Sequence, residues 1–294
     1  MKYLRKFENK DDVVEFIYDG GWLDPNIPNV EYSVNNDKVY YSGVYGMDDN
    51  TLRMPPGYVE LDYVESRGGV FVDFSEIVFD KRYVLNIIFS EETTATSQII
   101  TNVGTKNSSA VTSFSISHNA TNDKLIISAG ENGSLVNTEI YNVDILNTKL
   151  SCKCYMVATG LSVNYNGLFI GLYNLNSNVN QNDVILYEGI SSANDIASLN
   201  NGITNPHIRL FNNSFKGRIY GASFGHNSGK AHASMNYNTF DIIPAKRLSD
   251  NKVGFIQIKT VHSVLQSSNT TVTKTFITPS SGTLIAGDII DLNI

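Results

Sequence analysis

Short runs of alternating apolar and polar residues dominate the chain from Tyr58 onward. These runs are rich in β-branched and aromatic residues, and Asn, Ser and Gly separate them. They include GVFVDFSEIVF, YVLNIIFS, TSFSISH, KLIISAG, CYMVATGLSVNYNGLFIGLY, FKGRIYGASFG and VGFIQIKTV. Many short strands without intervening helices favour an all-β fold, and we predict an antiparallel β-sandwich or jelly roll for residues 58–294.

Residues 1–46 follow a different pattern. The run NKDDVVEFIYDGG offers Asn9 as a cap, acids in the first turn and a Gly20-Gly21 end, which predicts one short helix. In VEYSVNNDKVYYS two alternating runs flank the turn residues NNDK, which predicts a β-hairpin. Together they predict a small α+β N-terminal attachment module that is too small for a good core of its own. We therefore expect this module to pack on another surface.

The segment GMDDNTLRMPPG interrupts both patterns with acids and with Pro55-Pro56. The fixed φ angles of consecutive prolines favour an extended connector. We therefore predict a linker over residues 47–57, between the N-terminal module of residues 1–46 and the sandwich of residues 58–294.

The composition suits a β-protein that works outside a cell. Charged residues make up 17% of the 294 residues, against roughly 25% in an average soluble protein, and Asn, Ser, Thr and Tyr take their place. The net charge of -7 comes without a concentrated basic stripe, so we expect no nucleic-acid partner. The N-terminus lacks a signal-peptide pattern, and no apolar run reaches the length of a membrane span. We expect synthesis in a cytoplasm, no membrane partner, and release by lysis or on a particle.

Residues that could bind metal are few and scattered. Cys152 and Cys154 lie two apart, which puts them on one face of a strand and gives a loop too short for good disulfide geometry. They predict two reduced, half-buried thiols. The Asn-rich loop over residues 174–182 departs from the calcium-loop pattern at Val179 and Ile185, which favours a solvated loop. We predict no metal site and no cofactor.

Three acids stand out in the stretch ELDYVE. Glu60, Asp62 and Glu65 follow the order E-x-D-x-x-E, the catalytic run of a large group of sugar-cleaving enzymes. A retaining glycosidase needs two carboxyl groups about 5–5.5 Å apart. On a regular strand Glu60 and Asp62 share a face, whereas Glu65 faces away unless a β-bulge resets the register.

The position of this stretch argues against catalysis. It opens the predicted domain directly after the prolines, and an opening edge strand gives a carboxyl group little desolvation. We therefore favour a strand with Val59, Leu61 and Tyr63 inward and its acids in water. A glycoside hydrolase that uses the three acids remains the lower-ranked alternative.

Four segments resemble the concanavalin A-like, laminin-G-like domains common in gut bacteria and their phages. YVELDYVESRGGVFVDFSEI resembles their opening, with residues 62–66 in an E-Y-I-E-S slot. FKGRIYGASFG, FDIIPAKRLSDNKVGFIQI and TFITPSSGTLIAGD resemble later segments in the same order. The resemblance implies a lectin-like sandwich and accounts for Glu65 without catalysis.

The N-terminal module resembles leader modules on virion structural proteins of crAss-like gut bacteriophages, through MKYLRKFENKDDVVEF and PNVEYSVNNDKVYYS. This implies a non-enzymatic protein of the virion surface, such as a head fibre, capsid decoration or tail-fibre component. The implied partners are other virion proteins, further copies of this chain as a homo-oligomer, and a glycan or host surface. Candidate docking residues, which could instead pack within the module, are Tyr3, Leu4, Phe7, Phe16 and Trp22. A bacterial surface or secreted glycan-binding lectin is the alternative.

Overall fold

The described part of the chain is built from β-strands, turns and bends. The computed structural model describes residues 2–6, 14–18, 30–34, 38–42, 54–76, 83–92, 97–105, 114–122, 124–131, 134–141, 146, 148–158, 165–175, 184–192, 206–212, 214–226, 236–263 and 270–290. None of these residues is helical. Within these ranges there is accordingly no helix long and apolar enough to cross a membrane.

The N-terminal region contains two strand pairs. β1 (Lys2–Lys6) pairs antiparallel with β2 (Val14–Tyr18), and β3 (Val30–Val34) pairs antiparallel with β4 (Lys38–Ser42). The second pair confirms the predicted hairpin. The helix predicted from Asn9 is wrong, because VEFIY is rich in β-branched and aromatic residues and β1 supplies its ladder partner. The predicted α+β module is therefore a β structure where it is described.

The sandwich region contains the remaining strands. In chain order they are β5 (Tyr58–Glu60), β6 (Val64–Arg67), β7 (Val72–Glu76), β8 (Tyr83–Glu91), β9 (Gln98–Thr105), β10 (Phe114–Asn119), β11 (Lys124–Glu131), β12 (Ser134–Tyr141), β13 (Leu150–Ala158), β14 (Tyr165–Asn174), β15 (Val184–Ser192), β16 (Pro206–Asn212), β17 (Lys216–His226), β18 (Asn236–Arg247), β19 (Val253–Ser263), β20 (Thr270–Ile277) and β21 (Ile285–Ala286). Each of the sequence runs from which strands were predicted contains at least one of these strands.

Two large antiparallel sheets organise these strands. The six-stranded sheet has the order β12-β11-β10-β9-β16-β7. The eleven-stranded sheet has the main order β15-β14-β13-β8-β17-β18-β19-β20, to which β5, β6 and β21 are joined. Every strand of the two sheets pairs antiparallel with its neighbours.

The two sheets enclose one shared core. Alternate residues of strands in both sheets belong to a single buried apolar cluster, as the period of two requires for strands with one buried face. The ring of Phe74 on β7 lies 5.6 Å from that of Phe255 on β19, and the Phe211 ring on β16 lies 6.2 Å from Phe255. Aromatic contacts thus join the two sheets directly. The prediction of an all-β fold with two antiparallel sheets packed as a sandwich is confirmed.

β6, the second strand of the opening run, is not an edge strand. β6 pairs on one side with β17 and on the other with β21, while β5 pairs with β18. The predicted edge position is therefore wrong, because the closing segment returns to pair with β6. β17, β18 and β21, which lie in the later segments of the sequence resemblance, all pair with the opening run.

The cysteines are more buried than predicted. Cys152 and Cys154 both lie on the inner face of β13, and both thiols are free. Their sulfur atoms are 3.8 Å apart. The hydrogen bond to Cys152 and burial raise the pKa of the Cys154 thiol well above its usual value. The expectation of half-buried thiols is wrong, because the inner face of this strand lies in the core.

Candidate functional site

The stretch ELDYVE contains a break in its strand. Leu61 and Val64 are both fully buried in the shared core, although a regular strand would turn residues three apart to opposite faces. The change of direction falls at Asp62 and Tyr63, which belong to neither β5 nor β6. The Asp62 amide donates to the Asp288 carbonyl at 2.8 Å, which fixes the break against the closing segment.

This break places Glu60 and Glu65 on the same face of the eleven-stranded sheet. Directly opposite residues of an antiparallel pair share a face. Glu60 lies opposite Ala245, which is buried in a small apolar cluster apart from the shared core, and Glu65 lies opposite Arg218. Both acids therefore point to the face turned away from the shared core, here called the outer face. Glu65 would face away from Glu60 on a regular strand, and the break at Asp62 and Tyr63 resets the register.

Glu65 is held by two arginines. Its side chain is only 8% exposed, and Arg218 Nε lies 3.1 Å from Oε2. Arg67 Nε lies 3.5 Å from Oε1. The expectation that this acid faces water is wrong, because both carboxylate oxygens have a guanidinium partner. Glu60 and Asp62 are half-buried.

Two tyrosines complete the surroundings of this ion pair. The Tyr63 and Tyr220 rings meet edge to face, with centroids 5.6 Å apart. The Arg218 guanidinium lies 4.3 Å from the Tyr63 ring centroid, and Lys149 Nζ lies 4.3 Å from that of Tyr220. Ser90 Oγ and the Tyr220 hydroxyl are 3.4 Å apart. The site thus combines cations over aromatic rings with a buried carboxylate, an arrangement that fixes the orientation of Arg218.

Glu92 brings a second carboxyl group to Glu65. Burial raises the pKa of Glu92, and the charge of Glu65 and a hydrogen bond to it act in the same direction. A carboxyl group with a raised pKa, such as that of Glu92, is a feature of acid/base sites. In a retaining glycosidase, however, one carboxylate must be free to attack the sugar. Glu65 is engaged by two arginines, so the geometry favours a structural role for it.

The sequence motif identified only part of this site. It singled out Glu60, Asp62 and Glu65, whereas Arg218 and Tyr220 lie in the run FKGRIYG, which served only as a fold signature. Arg218 is 153 positions from its partner Glu65. No local signal links these two runs, because their contact depends on the pairing of β6 with β17.

The other predicted site residues fall outside this cluster. By backbone position Tyr3 and Leu4 belong to β1 and Phe16 to β2, whereas Phe7 and Trp22 lie outside the described residues. The greater part of the Asn-rich loop and of the predicted linker also lies outside them. The docking, linker and loop assignments therefore stay predictions. In the ranges that are described, no group of three or more His, Cys, Asp or Glu side chains could hold a metal ion.

Comparisons with known proteins found one distant structural match. No known protein family matches the sequence. No curated protein matches it either. Among solved structures, the chain is similar to the native heptameric SAP-like pentraxin from Limulus polyphemus, with 7% sequence identity and a TM-score of 0.36. The alignment covers 60% of this chain and 76% of the pentraxin chain. A similarity at this level carries no argument about fold or function.

Proposed function

We propose that this chain is a non-enzymatic structural protein of a phage virion, a head fibre, capsid decoration or tail-fibre component. Its sandwich is displayed at the virion surface for adhesion to a glycan or host surface. The observation that carries the non-enzymatic part is the engagement of Glu65 by Arg218 and Arg67. The virion role rests on the resemblance of the N-terminal module to phage leader modules.

The order of the two parts supports display rather than catalysis. The strand pairs β1–β2 and β3–β4 precede a sandwich whose last described strand, β21, pairs with β6. In the described residues β4 contacts β17 and β18, so the module would be carried on the displayed sandwich. Fibres and decorations commonly assemble around a symmetry axis, so the proposal includes a homo-oligomer.

Deletion of residues 1–46 tests the proposed attachment. We expect the truncated chain to keep a folded sandwich but to be lost from purified virions, because the module would supply the contact with other virion proteins. Mass spectrometry of virions carrying the full or truncated chain gives the copy number, and circular dichroism of the purified chain is the control for folding. Unchanged incorporation would contradict the docking role, and a full chain that binds glycans but is missing from virions would favour the lectin alternative.

A glycoside hydrolase is the second candidate, because Glu60 and Glu65 share the outer face. If the chain is a non-enzymatic structural protein, the purified chain should leave β-glucans intact. Hydrolysis that disappears in Glu60→Gln, while the variant stays folded, would replace the structural role by a catalytic one.

A further inference from the structure

One polar residue from each of five neighbouring strands lines up across the six-stranded sheet. Arg209 on β16 lies opposite Asp73 on β7 and Asn102 on β9. Ser115 on β10 lies opposite the same Asn102 and opposite Ser128 on β11. Because directly opposite residues share a face, all five side chains lie on one side of the sheet. We call these five residues the polar row.

The polar row lies on the face of the six-stranded sheet that is turned away from the shared core. Asp73 stands between the core residues Val72 and Phe74, as the period of two along a strand requires. Ser115 stands in the same way between Phe114 and Ile116. Neighbouring strands are roughly 4.8 Å apart, so the row is about 19 Å long. A ligand that follows the row is therefore an extended chain.

The middle of the polar row contains a buried donor that has no acceptor. Asn102 and Ser115 are 1% and 4% exposed, although they face away from the shared core. Asn212 Nδ2 donates to Asn102 Oδ1 at 3.0 Å, which fixes the amide of Asn102. In the part of the chain that the structure describes, Asn102 Nδ2 has no hydrogen-bond partner. A buried donor without an acceptor destabilises a fold, so this amide favours an acceptor supplied by a ligand.

The chemistry of the polar row favours an uncharged ligand. Its one cation, Arg209, donates from Nε and Nη2 to the two carboxylate oxygens of Asp73, so the two charges compensate each other. Asn102, Ser115 and Ser128 carry only a neutral amide and hydroxyls, which both donate and accept hydrogen bonds. The net charge of -7 also opposes an anionic ligand.

The polar row is unlike a face that packs against apolar protein. The outer face of the eleven-stranded sheet carries such an apolar cluster, composed of Ile243, Ala245, Ile256 and Ile258. The polar row instead presents mixed donors and acceptors over its whole length. Sugar hydroxyls are groups of the same kind, since each can donate and accept.

We propose that the polar row binds an uncharged glycan chain, with Asn102 Nδ2 and the Ser115 hydroxyl as its central contacts. This inference rests on the proposed adhesion function, and it names the ligand class and the face that binds it. The ion pair of Arg209 with Asp73 holds one end of the row in place. Because Asn102 is 1% exposed, the site must open before a glycan enters, so association should be slow.

Binding of the full chain is measured by biolayer interferometry on immobilised glycans. The neutral probes are cellohexaose, maltohexaose, mannohexaose and xylohexaose, and hexagalacturonic acid is the acidic comparison. We expect binding to at least one neutral chain, with slow association and little dependence on salt.

Two variants test the central contacts. Asn102→Asp keeps Oδ1 but replaces the donor Nδ2 by an acceptor, and it should lose at least about tenfold in affinity. Ser115→Ala removes one hydroxyl without adding a charge and should also weaken binding. The matched control is Asn86→Asp, which changes a buried Asn of the other sheet whose Oδ1 accepts from Ser151, and which should keep the affinity. Thermal unfolding midpoints show whether each variant is folded.

Several results would overturn the inference. They are no binding to any of the neutral chains, tighter binding of the acidic chain, or unchanged affinity in Ser115→Ala or in folded Asn102→Asp. If Asn102→Asp does not fold, Ser115→Ala decides alone.

Failure of this inference is distinguishable from failure of the virion role. A chain that is found in virions but binds none of the neutral glycans removes only this inference. A chain that is missing from virions but binds a neutral glycan through Asn102 and Ser115 removes only the virion role.

Discussion

At the scale of single residues, the turn after β18 is fixed by an exposed ion pair. Arg247 donates from Nε and Nη2 to the two carboxylate oxygens of Asp250, at 2.9 and 2.7 Å. The Lys252 amide donates to Asp250 Oδ1 at 3.3 Å. The hydrogen bonds from Arg247, followed by the amide of Lys252, lower the pKa of Asp250 from 3.8 to about 2. Because the pair lies at the surface, it adds little to stability, and its main effect is to fix the geometry of the turn.

This pKa gives a prediction with a definite sign. We expect the Asp250 carboxyl to titrate near pH 2 in NMR spectra, and to move back toward 3.8 in Arg247→Gln, because the largest stabilising hydrogen bonds are lost. A carboxylate with a lowered pKa contributes stability at neutral pH that is lost as pH falls from 3.8 to about 2. Lys252→Gln is the control and should change the midpoint less. An unchanged midpoint in Arg247→Gln would contradict the assignment.

At the scale of elements, a buried ion pair joins β7 to β16. Arg209 Nε lies 2.6 Å from Asp73 Oδ1, and Arg209 Nη2 donates to Asp73 Oδ2 at 2.9 Å. The two side chains are 3% and 2% exposed, and the guanidinium also lies 4.6 Å from the Phe71 ring centroid. β7 pairs only with β16 in the six-stranded sheet, so this pair reinforces the attachment of an edge strand.

Removal of one partner tests this attachment. We expect Asp73→Asn to lower the free energy of unfolding by about 3–5 kcal/mol, because the Arg209 charge stays buried without its carboxylate. Urea denaturation measures the change. Asp250→Asn removes an exposed carboxylate of the same type and should have a much smaller effect. A loss of less than about 1 kcal/mol in Asp73→Asn would mean that the pair does not hold the edge.

At the scale of the whole molecule, the two sheets are joined by aromatic and by polar contacts. Phe255 meets rings from the opposite sheet on β7 and β16. At another point, His118 Nδ1 on β10 lies 3.1 Å from Glu91 Oε2 on β8, and both side chains are fully buried. Gln98 Nε2 donates to the same Glu91 oxygen at 3.2 Å. The hydrogen bond from Gln98 is directional, so it favours one alignment of the sheets.

Because Phe255 contacts rings of the opposite sheet, we expect truncation of its side chain to lower the stability of the fold strongly. Phe255→Ala should lower the free energy of unfolding by about 3–5 kcal/mol, because it leaves a cavity between the sheets. Phe276→Ala on β20 is the matched control and should be milder, since Phe276 is only partly buried in the small outer cluster. Denaturation curves of the two purified variants provide the measurement. Equal losses would argue against Phe255 as a principal contact between the sheets.

Much of the architecture follows from local sequence signals. Alternation of apolar and polar residues predicted the sandwich strands, and the NNDK turn predicted the pairing of β3 with β4. The same reasoning mistook VEFIY for part of a helix, because Asn9 and the glycines supplied helix signals at both ends. The strand β1, which decides between the two structures, was not part of that local pattern.

The sequence by itself determined the strands, because side-chain alternation and β-propensity act within a few residues. It also identified ELDYVE as a stretch with unusual acids. Only the tertiary structure decided the role of Glu65, because the break at Asp62 and Tyr63 and the ion pair with Arg218 both require distant segments to meet. Ion pairs and like-charge contacts between strands depend on register, and register is set by the packing of the whole sandwich.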